Sequence, residues 1–80
     1  MKPLNLCGLK DGQSAKISEI HGGRHIRQRL ASMGVHPGDS IRVLRAPRFM
    51  GPVLIEIHGS EVAIGFGMAH RIRVEPAVSP

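Results

Sequence analysis

Five histidines and one cysteine carry the readiest chemistry in this 80-residue chain. His21 and His25 stand four apart, the spacing of two metal ligands on one helical turn. Gly22-Gly23 lies between them and argues against a helical turn at that point. Cys7, His36, His58 and His70 are scattered. A ferrous ion needs several convergent oxygen or nitrogen ligands, and no such group is legible, so no metal ligand is assigned. Cys7 and a histidine could form a nucleophile pair only through a spatial arrangement that sequence does not show, and a lone buried cysteine is the commoner case. "GGR" and "GFGMAH" contain glycine but lack the Lys-Ser/Thr of a phosphate loop. The expectation is no enzyme, no catalytic residue, no cofactor and no nucleotide bound by the chain itself.

The cationic residues ask for a different chemistry. In "HGGRHIRQRLASMGV", Arg24 and Arg27 fall in the first turns of a helix, where the helix dipole is already positive. They are either a solvated, screened face or a docking site for acidic residues or phosphate. In "APRFMGP" the loop holds Arg48, Phe49 and Met50, a combination enriched at interface hot spots. The other reading folds Phe49 back over an open barrel end. Leu44 and Leu54 form a second candidate patch, with packing under the N-terminal lead-in as its plain alternative. These seven residues are the candidate partner-binding set.

The elements that must position them follow from periodicity. "PLNLCGLKDGQ" reads as an extended lead-in and an Asp11-Gly12 turn. "SAKISEI" alternates Ala15 and Ile17, then places Ile20 out of phase, which a bulge near Ser18-Glu19 repairs. Ile26, Leu30 and Met33 are spaced i, i+4, i+7, the apolar stripe of a helix that Gly34 caps and Pro37 prevents from continuing. "SIRVLR" and "VLIEI" predict an antiparallel pair with Ile41 opposite Ile57, Val43 opposite Ile55 and Arg45 opposite Val53. The same register sets Arg42 against Glu56 and Leu44 against Leu54. Gly59-Ser60 predicts a hairpin turn, "FGMAH" a turn or helical tip, and "RIRVE" a last strand that Pro76 ends. The sum is mainly β: about five short strands, one helix inserted after the first, in a small, partly open barrel.

Bulk properties bound the function. Eighty residues make one domain, 1–80, with a core over about 4–75 and a frayed tail at 76–80. A chain this size buries only ~60–65% of its unfolded surface. Eleven Lys+Arg against six Asp+Glu give a net charge of +5, which suits acidic partners. With no Trp, no Tyr and two Phe, the chain cannot line an aromatic groove for proline-rich peptides. The same lack argues against a stacking platform for single-stranded nucleic acid. One cysteine fits a reducing compartment, and no apolar run reaches the ~20 residues of a membrane span or forms a secretory signal.

The ordered set "LKDGQSAKI", "GGRHIRQRLASMGVHPGDSIRVL" and "GPVLIEIHGSEVAIGFGMAHRIRV" resembles the ferrous iron transport protein A (FeoA) family. The matching positions are Leu9, Gly12, Arg29-Leu30, Gly34-Val35, Pro37-Gly38, Gly51-Pro52, Ala69, Ile72 and Val74. The resemblance implies an SH3-like barrel and a small cytosolic, regulatory accessory of an FeoB-like membrane iron transporter with a GTPase domain. Membrane contact is expected only through that partner, and weak or no homo-oligomer is expected. Two alternatives stay open: a basic nucleic-acid-binding barrel, and the SH3-like regulatory module of an iron-dependent repressor.

Overall fold

In the computed structural model, residues 4–77 are described. The elements are β1 (Leu4–Asn5), a 3₁₀ turn (Leu6–Gly8), β2 (Ser14–Ile20), α1 (Gly23–Ser32), β3 (Ser40–Arg45), β4 (Val53–Ile57), β5 (Ser60–Ile64), α2 (Phe66–Ala69) and β6 (Ile72–Pro76). The strands form one antiparallel sheet in the order β1-β6-β2-β3-β4-β5. Among the described residues there are six strands rather than five, because Leu4 and Asn5 of the lead-in pair with Val74 and Arg73. The sheet ends in β1 and β5 and is not strictly closed.

The interior is aliphatic. Ile17, Leu30, Val43, Val53, Ile55, Ile64 and Ile72 are all buried, and Ile26 of α1 and Met33 just after its end pack against this cluster. The helix stripe therefore does what its spacing predicts: a ten-residue helix is marginal alone and persists by burying one face. Gly34 adopts φ +82°, the left-handed cap that glycine takes without steric cost.

Two irregularities bear on register. The β2–β6 ladder shifts between Ile17 and Glu19, which lets Ala15, Ile17 and Ile20 all reach the interior. Between β3 and β4, Arg42 faces Glu56 and Val43 faces Ile55, as predicted. Past Val43 the register slips by one, so Arg45 faces Leu54 instead of Val53. Leu44 is the bulged residue and does not face Leu54. The predicted uninterrupted alternation misses this because Leu44 looks like a regular outward position.

The β4–β5 turn is His58-Gly59, one residue earlier than predicted, since Ile57 pairs with Ser60. Both turn residues have positive φ (50° and 77°), the type I′ pattern whose twist matches a hairpin. At the other end of the chain Pro76 pairs with Ala15, and the Ala77 N–H donates to Ser14 O at 2.9 Å. The predicted tail thus starts on the sheet, and its last three residues lie outside the described set.

Candidate docking surfaces

The predicted residues divide between two ends of the sheet. β2 runs from Ser14, opposite Arg42, to Ile20, opposite Ile72. α1 begins just beyond Ile20. β3 runs antiparallel to β2, so the loop after Arg45 leaves from the Ser14 end. Seven strand residues span roughly 20 Å, so Arg24 and Arg27 do not share a compact site with Arg48, Phe49 and Met50.

The first end is cationic. Gly22, at φ 110°, precedes α1 with no side-chain cap, and the first turn holds no acidic residue. The leading N–H groups and the helix dipole therefore add to the charge of Arg24 and Arg27, both exposed. Arg71 joins them. The His21 N–H donates to Arg71 O at 2.7 Å, and a Cβ built on Gly22 would lie 2.9 Å from Arg71 Cδ. Glycine at 22 thus lets the Arg71 stem fold over the helix start. Arg71 was missed in sequence reasoning, because the β2–β6 pairing that brings residues 21 and 71 together is non-local. His21 precedes the helix and its Nε2 sits 3.2 Å from Glu19 Oε2, so it does not share a helical turn with His25.

The second end is the β3–β4 loop. Phe49 is 101% exposed and Met50 75%, the only large apolar side chains exposed among the described residues. Phe49 does not fold back over the barrel. The Gly51 N–H donates to Arg48 O at 2.9 Å and closes a turn whose central residues, Phe49 and Met50, both have positive φ (53° and 61°). Left-handed backbone costs a residue with a Cβ roughly 1–2 kcal/mol, and this turn has two in succession. Gly51 is required by closeness, since a Cβ there would stand 2.9 Å from Arg48 O. The loop's base is fastened by the Ala46 N–H, which donates to Asp11 Oδ1 at 2.7 Å. Leu44 and Leu54 are half-buried and lie outside the core cluster, while the lead-in sends Leu6 and Leu9 into it.

The remaining reactive groups sit elsewhere. Cys7 Sγ lies 3.4 Å from His70 Nδ1, and His70 stacks edge-on against Phe66 at 4.4 Å. Burial pushes the Cys7 thiol above its ordinary pKa, so the thiolate is disfavoured rather than activated. Asp39 accepts from the His36 N–H at 2.7 Å, and His58 Nε2 lies 3.1 Å from its other oxygen, tying the α1–β3 turn to the β4–β5 turn. Among the described residues no group of three or more His, Cys, Asp or Glu is placed to hold a metal ion. An open groove is lined by Ser14, Ser40, Ile41, Arg42, Glu56, His58 and Ala77; none of the predicted site residues lines it.

Comparison with known proteins places the chain as a whole in a family. The FeoA domain model matches residues 4–76. A Methanocaldococcus jannaschii protein assigned as an Fe(2+) transport protein A is 41% identical over 72 residues, which are 90% of this chain and 85% of that one. The crystal structure of an iron uptake regulatory protein (FeoA) superposes with a TM-score of 0.84 at 36% identity, covering 96% of this chain and all of the other. A manganese-dependent transcriptional repressor shares the fold at TM-score 0.86 and 24% identity. That match covers 96% of this chain and 38% of the repressor.

Proposed function

The chain belongs to the FeoA family, and on that premise we propose that it docks on the cytoplasmic, GTPase-containing part of an FeoB-like membrane transporter. The observation that carries this reading is the cationic end. Three arginines, Arg24, Arg27 and Arg71, meet an uncapped helix start with no acidic residue in its first turn. Such a surface costs the free protein a little stability and gains it back against carboxylates. The protein is then a cytoplasmic regulatory subunit with no catalysis, metal ligand or cofactor of its own, and iron enters only as the transporter's cargo. Its effect on the GTPase domain comes from contacts that differ between that domain's states.

Capture from cytoplasm plus detergent-solubilised membrane tests the proposal. The wild-type chain retains the transporter. Arg24→Glu with Arg27→Glu loses it, because two attractive contacts become repulsive. Phe49→Ala retains it, because the tip is at the other end. Undiminished capture by the double arginine variant would overturn the assignment.

A further inference from the structure

The β3–β4 loop breaks a local rule with no packing of the two tip side chains to offset the cost. A turn with two left-handed central residues is the natural place for Asn-Gly, yet this one holds Phe49-Met50. Neither side chain is buried, so packing does not explain the choice. Strain kept at an exposed apolar tip points to a use outside the folded chain.

We infer that this tip is a wedge that inserts Phe49 and Met50 into an anionic phospholipid surface. Shape favours lipid over a protein partner. A protein interface of ordinary size covers about 800 Å² on each side, with anchors ringed by further contacts. Here no other large apolar side chain is exposed among the described residues, and the half-buried Leu44 and Leu54 at the base of the loop are the nearest in sequence, too little for an ordinary protein interface. A bilayer interface closes around a projecting tip and needs no ring.

Charge agrees. Arg45 and Arg48 flank the tip, both exposed, and none of the ion pairs among the described residues involves them. Arginines beside an inserted tip meet lipid phosphates. Rigidity agrees too: Pro47 and Pro52 fix φ on either side, the Arg48–Gly51 hydrogen bond closes the turn, and Asp11 holds Ala46. The wedge is therefore pre-shaped, and insertion orders little additional chain. This departs from the expectation that the membrane is reached only through the transporter. Weak, reversible contact of this kind would hold the protein in the layer where such a transporter sits. The inference itself requires no transporter.

Sedimentation with vesicles of phosphatidylcholine alone, or with added phosphatidylglycerol, tests it. Wild type binds the anionic vesicles, binds the neutral ones more weakly, and loses affinity as salt rises. The variant Phe49→Asn with Met50→Gly keeps the net charge and gives the turn its preferred residues. It melts at or above the wild-type temperature, yet binds anionic vesicles at least tenfold more weakly. Because the chain has no tryptophan, Phe49→Trp supplies a single reporter whose emission moves to shorter wavelength on anionic vesicles. Three results would each overturn the inference. One is no vesicle binding at low salt. The second is equal binding by the Asn-Gly variant, which would make net charge the whole effect. The third is loss of transporter capture by that variant in detergent without any vesicle binding, which would give the tip to a protein.

Discussion

Truncating Leu30 to alanine removes the buried side chain of α1 and leaves a cavity between that helix and the sheet. Such changes cost about 2–5 kcal/mol. A domain of 80 residues holds only roughly 4–12 kcal/mol in total, so urea denaturation of Leu30→Ala should show a much lower midpoint or no folded baseline. The exposed Arg27→Ala on the same helix should move the midpoint little. Cys7 gives a pH-dependent effect. Its thiol pKa is raised in the folded chain by burial, so the folded state keeps the proton longer than the unfolded one. The thiol's contribution is fully present below the unfolded thiol pKa. It falls as pH rises through that value and is lost once pH passes the folded one. Unfolding free energies measured across that window should decline more steeply for wild type than for Cys7→Ser.

At the scale of elements, the β3–β4 pair offers a quantitative check. The Arg42–Glu56 ion pair spans 3.3 Å, with both side chains close to half exposed. Exposed pairs of this kind contribute at most about 1 kcal/mol, so a double-mutant cycle with Arg42→Ala and Glu56→Ala should report a coupling below that and decreasing with salt. Elements with a clear apolar period were legible from sequence: the Ile26-Leu30-Met33 helix, the Ile41 to Val43 and Ile55 to Ile57 faces, and the bulge that Ile20's phase demanded. What escaped had no periodic signature. Leu44 is a bulge in a strand that alternates well without one. β1 is two residues long and exists only because β6 offers an edge. The hairpin turns at His58-Gly59 because Ile57 and Ser60 pair, although histidine at positive φ is the less obvious choice beside the Gly59-Ser60 dipeptide.

Across the whole molecule, the candidate site was half legible. Arg24, Arg27, Arg48, Phe49 and Met50 were visible as residue types out of place, and the structure leaves all five exposed. Their separation into two ends was not visible, because it depends on which end of β2 and β3 each loop leaves. Arg71 was invisible for the same reason. An assembly held by the cationic end is electrostatic, so its association should slow steeply as ionic strength rises, with a smaller change in dissociation. Duplex or single-stranded nucleic acid at physiological salt should show no saturable binding at submicromolar concentration, since net charge alone supplies only weak, salt-sensitive contact.

The most direct measurement is a binding isotherm between the chain and the purified cytoplasmic GTPase-containing region of an FeoB-like transporter, free of lipid, with wild type compared against Arg24→Glu, Arg27→Glu. The account predicts saturable one-to-one binding that the charge reversals weaken at least tenfold and that Phe49→Asn, Met50→Gly leaves within about twofold. No binding by the wild type, or equal binding by the reversed variant, would contradict it.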